Sequence, residues 1–497
     1  MGVVTRLLVR TLIPRAIVVA AVAGMLGSLA HVSPAWAEDD PPPPVAPPDT
    51  GVPGPRVAYA MRPVLARETK ACSTRVPMCV HASGTTPGRV VLDVLASAER
   101  AWETLAGALR LGSPDVDEVD LAFHLYLVEG ARERGATYVA GRDVRSRIDR
   151  ARAFTVLDAN VHGGCLLDAL VAREIARADL YRVAPATAEG IARAQTTYLA
   201  QLMVPCAAGL AVEAVQAFQA RPERAVCDPR VGEVGTSADD EREQESSATA
   251  MAPVERETGK PAALSRLFTE GAALFWGRID WAYGRAPGSI VMASWALSPT
   301  MTEVGTKRWH DEPDAFDVLR VSFKGALSTG STLDDLLLDT AIARAFMGSA
   351  DDGLHAIETR TFGGAARIPL DWDLPWPAQP KRVAPRAPVF PSGASYLVVH
   401  RAGAPPGARL RVEITWEEHA LFRWAFVKLD AAGRELGRVP IPTRERAVEA
   451  QMTLVDLDGV DRILLVGMNA GDPSYRFDPD DEVWEPHGWL VTLAEER

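Results

Sequence analysis

The sequence lacks most of the motifs that identify an enzyme or a nucleic-acid-binding protein. It has no G-x-S-x-G, which argues against a serine hydrolase of that type, and no Walker or dinucleotide-type glycine loop, which argues against those phosphate sites. Its nine histidines include no H-x-x-x-H pair and its five cysteines include no C-x-x-C, so the common zinc patterns are absent. Acidic residues outnumber basic ones, 65 to 53, without a basic block, so no nucleic-acid partner is expected.

Long apolar runs are absent except at the N-terminus. There, three arginines precede the apolar run Ala16–Ala30, and the A-x-A sequence Ala35–Ala37 follows it. The run is shorter than the about 20 residues of a transmembrane helix, and the three features together predict a signal peptide over residues 1–37. We therefore expect export to the periplasm, cell envelope or medium, without a stable membrane span after cleavage. Retention as an uncleaved anchor is the alternative.

Cysteine is scarce and confined to the first half of the chain, at Cys72, Cys79, Cys165, Cys206 and Cys227. Export would permit disulfides. Cys72 and Cys79 are close enough in sequence to close a short loop, and we expect them to pair. The other three cysteines leave an odd one, and the sequence does not decide which two of them pair.

With 497 residues, 47% of them hydrophobic, the chain is long enough for more than one domain. Residues 38–65 are rich in proline and are predicted to form a linker. We expect a helix-rich α+β domain over residues 66–385 and a β-sandwich domain over residues 386–497. A segment at about 231–262 mixes acidic residues with Ser and Thr and is predicted to be a mobile insertion.

The periodicity of apolar residues predicts the elements of both domains. Helices are expected over Arg89–Leu109, Leu166–Leu180, Thr187–Gln219, Ala272–Tyr283 and Leu333–Phe346. Buried strands are expected at Val119–Val128 and Ala153–Asp158, and Pro369–Pro391 is expected to be a connector. Sandwich strands are expected at Ser395–His400, Leu410–Trp416, Arg423–Leu429, Val448–Val455, Arg462–Gly467 and Trp489–Leu493.

One helix carries a pattern with chemical meaning. The segment Arg173–Arg177 reads R-E-I-A-R and has the outline of H-E-x-x-H, in which two histidines bind Zn²⁺ and the glutamate polarises a water molecule. Downstream, Glu189–Ala192 has the outline of the E-G-x-A segment that supplies a third ligand. Between Cys72 and Glu213 the chain thus resembles a degenerate zincin-type family of exported metallopeptidases, with both ligand histidines replaced. The resemblance implies a zincin-like N-terminal domain and a C-terminal β-sandwich.

The two arginines change what such a site can do. An arginine keeps its proton in a protein and has no lone pair to offer zinc, and two guanidinium groups repel a divalent cation. We expect Arg173 and Arg177 to pair instead with Glu174, Glu189 or Asp179. The degenerate site Arg173, Glu174, Arg177 and Glu189 should then bind no metal, and no zinc peptidase activity is expected. The alternative is that both arginines lie on a solvated helix face.

These expectations lead to two functional hypotheses. The preferred one is a non-catalytic binding or structural protein that acts on an unknown protein or an envelope component. The alternative is an exported hydrolase, either a metallopeptidase with an unusual ligand set or an enzyme that uses Glu174 and Glu189 as an acid/base pair. Carboxylates that converge in an open pocket favour the hydrolase, and carboxylates held by the arginines favour the non-catalytic protein.

Weaker candidates remain, and no cofactor is expected from them. Asp472, Asp478 and Asp480 lie in an acidic loop that is either solvated or a calcium site. A carbohydrate-binding module would need exposed aromatic residues on the sandwich. The following aromatic residues are expected in cores rather than in a ligand groove: Phe275, Trp276, Trp281 and Tyr283 on a helix, and Trp416, Trp424 and Trp489 on strands.

Overall fold

A computed structural model describes residues 60–131, 133–143, 146–161, 163–226, 264–299, 309, 313–326, 332–443, 447–472 and 485–496. The predicted signal peptide, most of the linker and the acidic insertion lie outside these residues. The same is true of Cys227, Asp478 and Asp480.

A five-stranded mixed sheet organises the N-terminal half. Its strands are β1 (Thr69–Cys72), β2 (Met78–Ala82), β3 (Phe123–Val128), β4 (Gly135–Arg142) and β5 (Ala151–Asp158), in the order β1-β2-β3-β5-β4. The central strands β2, β3 and β5 are parallel, and β1 and β4 are antiparallel edge strands. Central parallel strands are covered on both faces, which explains the nearly continuous apolar sequence of β3. Sequence patterns identified only β3 and β5, because β1 and β2 are short and β4 contains glycine.

Helices cover this sheet and continue beyond it. They are α1 (Gly88–Glu103), α2 (Cys165–Val183), α3 (Glu189–Met203), α4 (Ala207–Leu210), α5 (Val212–Gln219), α6 (Leu264–Gly271), α7 (Ala273–Tyr283), α8 (Ser289–Leu297), α9 (Ala315–Ala326) and α10 (Leu333–Arg344). A π-helical turn, Thr104–Ala108, extends α1, and 3₁₀ segments occupy Gly348–Ala350 and Ile357–Ala366. None of the helices in the described ranges is long and apolar enough to cross a membrane.

The single helix predicted over Thr187–Gln219 is wrong, because the chain divides there into α3, α4 and α5. Val204 has an extended backbone at the end of α3 and precedes Pro205, which lacks an amide proton. A residue before proline disfavours the α conformation, and proline cannot donate the next helical hydrogen bond.

Two disulfides connect described residues. Cys72 and Cys79 pair across β1 and β2, as predicted. Cys165, the first residue of α2, pairs with Cys206, the residue before α4. The second bond resolves the choice that the sequence left open for these two cysteines.

The C-terminal region forms two facing antiparallel-rich sheets, consistent with the predicted β-sandwich. One sheet has the order β11-β10-β13-β8-β6 and the other β12-β9-β14-β7. The strands are β6 (Trp372–Leu374), β7 (Lys381–Val383), β8 (Ala394–His400), β9 (Arg409–Trp416), β10 (Phe422–Leu429), β11 (Glu435–Ile441), β12 (Glu449–Leu454), β13 (Arg462–Asn469) and β14 (Trp489–Glu496). The predicted connector Pro369–Pro391 therefore needs correction, since it supplies β6 to one sheet and β7 to the other.

The larger sheet of the sandwich is buried on both faces. Phe426 and Leu465 face the other sheet, whereas Val427 and Val466 belong to the core cluster that also contains the helices. Side chains alternate between the two faces of a strand, so one sheet serves two cores. Tyr396 joins the layers by donating its hydroxyl proton to the carbonyl of Ala341 in α10, at 2.7 Å.

Candidate functional site

The helix α2 carries the R-E-x-x-R segment and lies in the interior. Its Ala- and Leu-rich sequence favours a helix, and it packs against α1, α3, β4 and β5. The side chains from Leu170 to Leu180 are all buried, among them three charged residues of the segment: Arg173 is 9% exposed, Glu174 5% and Arg177 8%. Charged side chains are rarely buried unless they are paired, so their partners define the site.

Arg173 is held by three acceptors. Its Nε donates to Oε1 of Glu174 at 2.8 Å, and its Nη1 donates to Oε1 of Glu270 in α6 at 2.9 Å. Its Nη2 donates to the carbonyl oxygen of Gly135, the first residue of β4, at 3.3 Å. The guanidinium therefore joins α2, α6 and the edge of the sheet.

The other oxygen of Glu174 is also occupied. Oε2 accepts from the hydroxyl of Thr137 in β4 at 2.9 Å, and Thr137 lies 2.9 Å from the hydroxyl of Thr155 in β5. Gly135 allows this close approach, because a Cβ there would lie 3.3 Å from Cγ of Glu174 and 3.2 Å from Leu157. Glu174 thus has a charged partner on one oxygen and a hydroxyl on the other.

Arg177 pairs with Glu189, the first residue of α3. Its Nη2 donates to Oε2 of Glu189, and its guanidinium carbon lies 5.0 Å from the ring centre of Tyr181. Arg193, one turn further along α3, donates to Oε1 of Glu189 from Nε at 3.0 Å. Both oxygens of Glu189 are therefore bound by guanidinium groups.

Glu270 connects the two pairs into one network. Its Oε1 lies 2.9 Å from Arg173, 3.5 Å from Arg193 and 3.3 Å from Arg266. Arg266 in turn lies 3.1 Å from Glu133. Four arginines thus balance four glutamates in what we term the Arg–Glu cluster. Its members are Arg173, Arg177, Arg193, Arg266, Glu133, Glu174, Glu189 and Glu270.

Four members of the cluster have pKa values that are shifted in favour of the charged form. Burial alone would raise the pKa of Glu189, but Arg177 and Arg193 outweigh it and lower the pKa below 4.5. Burial opposes ionisation of Glu270 too, and Arg173 and Arg266 lower its pKa. The pKa values of both Arg173 and Arg177 are raised, because their glutamate partners outweigh the effect of burial. A general acid needs a raised carboxyl pKa, so neither Glu189 nor Glu270 is suited to that role at neutral pH.

The structure brings together the four residues of the predicted site, with one change of partner. Arg173 contacts Glu174 and Arg177 contacts Glu189, which are two of the three alternative acceptors; the third, Asp179, binds Arg182 instead, at 2.7 Å. Asp179 lies two residues beyond Arg177 on the helix and so points to a different side, where Arg182 lies one turn further along. The alternative of a solvated face does not fit the burial of Arg173 and Arg177.

Sequence reasoning missed Arg193, Arg266, Glu133, Glu270 and Thr137. Glu270 and Arg266 lie on α6, far along the chain from α2, and no local motif marks them. Thr137 lies on a strand that was not predicted. Arg193 was the most accessible to prediction, because it lies at i+4 from Glu189 on a predicted helix.

The weaker candidates are dispersed. Asp472 lies 3.7 Å from His419, and the other acidic residues proposed with it are outside the described ranges. Within those ranges no three His, Cys, Asp or Glu side chains are grouped as a metal would need. Phe275 and Trp276 are core residues, as expected, but Trp281 is about half exposed. All three sandwich tryptophans, Trp416, Trp424 and Trp489, are buried.

Comparisons with known proteins give little further information. No protein-family model and no curated protein matches the chain. Among solved structures, the pre-peptidase C-terminal domain of collagenase from Bacillus anthracis is similar at 5% identity and a TM-score of 0.17, over 26% of this chain and 99% of that domain. The infectious bursal disease virus VP2 subviral particle is similar at 9% identity and a TM-score of 0.16, over 23% of this chain and 32% of that one. Scores this low carry no argument about function.

Proposed function

We propose that this protein is an exported, non-catalytic binding or structural protein built on a zincin-like scaffold whose metal site has been replaced by ion pairs. One observation carries the proposal. The guanidinium groups of Arg173 and Arg177 stand at the two ligand positions of the R-E-x-x-R segment, and they bind Glu174 and Glu189. These are the residues that would serve as the base and the third ligand in the resembling peptidases.

The charge balance of the cluster supports the proposal. A divalent cation between two helices compensates the charge of its ligand carboxylates, and here the arginines compensate the same charges. Removing one partner would leave a buried charge unpaired, so the arginines and glutamates stabilise α2, α3 and α6 only as a set. We also propose that the chain is exported by its signal peptide and that it acts on an unknown protein or an envelope component. Two disulfides are compatible with an oxidising compartment.

The hydrolase alternative needs a free carboxylate pair in an open cleft. Glu174 accepts from Arg173 and Thr137, and Glu189 accepts from Arg177 and Arg193. With all four oxygens occupied, neither carboxylate is poised to abstract a proton. The geometry therefore favours the non-catalytic hypothesis.

Zinc binding tests the proposal. We expect the purified chain to hold no zinc after dialysis, whereas Arg173→His/Arg177→His should bind one zinc per chain through both histidines and Glu189. Adding Glu189→Gln should weaken that binding about tenfold or more. The matched control is Arg89→His/Asp93→His, an i, i+4 pair on the exposed face of α1 and outside the Arg–Glu cluster, which should bind more weakly.

Two results would overturn the proposal. One is a zinc content near one per chain in the unmodified protein. The other is a folded Arg173→His/Arg177→His variant that binds zinc no better than the control on α1, because the scaffold would then not be zincin-like at this site.

A further inference from the structure

A second cluster of titratable groups lies on the central strands β2 and β3, away from the Arg–Glu cluster at β4. His81 of β2 and His124 of β3 are 5% and 3% exposed. Nε2 of His81 lies 2.8 Å from Nδ1 of His124. The outer nitrogens each meet a carboxylate: Nδ1 of His81 contacts Glu68, and Nε2 of His124 lies 3.1 Å from Asp120. The four groups form a linear chain, Glu68–His81–His124–Asp120.

The number of contacts fixes the number of protons. Each of the three contacts in the chain is a hydrogen bond only if it contains one proton, so the chain needs three. Two neutral imidazoles supply only two ring protons, and both carboxylates are acceptors when ionised. With two protons, one nitrogen lone pair would face either a carboxylate or another lone pair, at a buried site where such a contact is costly.

We propose that the Glu68–His81–His124–Asp120 chain retains one extra proton, carried by His81, and that this proton fastens residues 60–68, which precede β1, to the sheet. We call residues 60–72, which end in β1, the N-terminal strap. His81 then donates from Nδ1 to Glu68 of the strap and from Nε2 to His124, and His124 donates from Nε2 to Asp120. Above the pH at which the extra proton leaves, the lone pair of His81 Nδ1 faces the Glu68 carboxylate and this attachment is lost.

The groups around the two imidazoles favour a positive charge on His81 rather than on His124. Burial and the nearby Arg62 lower the pKa of His124, so His124 is the poorer site for a positive charge. The ring of His81 is stacked on Tyr126, with 4.6 Å between ring centres. The charged and titratable groups that face the two imidazoles come from the strap, the loop before β3 and β3 itself: Arg62, Glu68, Lys70, Asp117, Asp120 and Tyr126.

The strap has further attachments that do not need the extra proton, the first being the backbone pairing of its last four residues, β1, with β2. Arg62 lies 2.5 Å from Asp117, and Lys70 lies 2.6 Å from Asp120. The disulfide Cys72–Cys79 anchors the end of the strap. Loss of the His81–Glu68 bond should therefore loosen the strap without unfolding the sheet.

Histidine-selective ¹⁵N labelling of the full chain tests the protonation state directly. At pH 7 we expect His81 to show two protonated ring nitrogens and His124 to show one, on Nε2, with assignments from His81→Asn and His124→Asn. Glu68→Gln should abolish the extra proton, because the introduced side-chain amide can donate to His81 Nδ1 and two ring protons then suffice. The control Glu99→Gln changes a carboxylate that contacts Ser73 and Arg75 instead, and should leave the spectrum unchanged.

Hydrogen exchange of the strap tests its consequence. We expect amide exchange in residues 60–68, corrected for its intrinsic pH dependence, to rise by up to about tenfold for each pH unit above the point at which the extra proton leaves. The Glu68→Gln chain should show no such change. Two neutral imidazoles in the unmodified protein at pH 7, or strap exchange that is independent of pH, would overturn the proposal.

Discussion

Arg173 donates a hydrogen bond of 2.9 Å to Glu270, a residue 97 positions further along the chain. This contact joins α2, which carries the R-E-x-x-R segment, to α6, which no motif marks. The Arg173–Glu270 contact and Arg193 connect the two predicted ion pairs, Arg173–Glu174 and Arg177–Glu189, into one network. Substitutions in this network test how much it contributes to the stability of the protein.

Removing one member of the Arg173–Glu174 pair should destabilise the protein strongly, whereas replacing both members together should destabilise it comparatively little. Arg173→Met leaves Glu174 buried without its cation, and we expect the free energy of unfolding to fall by about 3 kcal/mol. Arg173→Met/Glu174→Leu should lose less than the sum of the two single variants, because it leaves no unpaired charge at Glu174. Chemical denaturation measures both. The control is Arg89→Met on the exposed face of α1, which should change stability by less than about 0.5 kcal/mol. Strict additivity would contradict the pairing.

Acid should weaken the Arg–Glu cluster. The pKa values of Glu189 and Glu270 are lowered from 4.5, since their arginine partners outweigh the effect of burial. A carboxyl with a lowered folded pKa contributes stability that is present above its unfolded pKa and is lost as pH falls through the folded value. We expect the free energy of unfolding to decline below about pH 4.5, and the decline to be shallower in Glu270→Gln. Identical slopes in the two proteins would argue against the assignment.

A rise in pH should weaken the ion pairs of His355. His355 lies 2.9 Å from Asp352 and 2.7 Å from Glu435 of β11. Burial opposes its charge, but hydrogen bonds to both carboxylates outweigh burial and raise the pKa of His355 above 6.5. The pKa of Glu435 is lowered to about 2, because hydrogen bonds to His355 and Arg438 outweigh the effect of burial.

A raised histidine pKa contributes stability that is fully present below the unfolded pKa and disappears as pH rises through the folded pKa. The difference in unfolding free energy between the native chain and His355→Gln should therefore be largest below about pH 6.5 and shrink toward pH 9. Denaturant titrations across this range measure it. His419→Gln, at an exposed histidine outside the Asp352–His355–Glu435 group, serves as the control for replacing a histidine. A constant difference for His355→Gln would show that its charge does not contribute.

The two disulfides should differ in strength. Cys165–Cys206 spans 41 residues and Cys72–Cys79 spans seven. If the bonds act by restricting the unfolded chain, the long loop contributes about 4 kcal/mol and the short loop about 2 kcal/mol. Thermal unfolding of Cys165→Ser/Cys206→Ser and Cys72→Ser/Cys79→Ser compares them. A larger loss from the short loop would mean that local contacts, rather than chain entropy, determine their effect.

The core elements of both halves were predictable where apolar periodicity was strong. α2, α7 and α10 begin and end near the predicted residues, whereas α1 begins near its predicted start but ends at Glu103, where a π-helical turn follows. The predicted sandwich strands are all present, because alternation and turn residues are local signals. The strands β1, β2 and β4 were missed, since short strands (β1 and β2) and a glycine-containing strand (β4) depend on their neighbours for stability.

The sequence by itself determined that α2 could not hold zinc through Arg173 and Arg177, because a guanidinium has no free lone pair at any accessible pH. It also determined the pairing of Cys72 with Cys79, because few residues separate them. Only the tertiary structure decided that Glu270 joins Arg173 and that His81 meets His124. These partners lie on separate elements, and which side chains meet depends on how helices and strands pack rather than on their spacing along the chain.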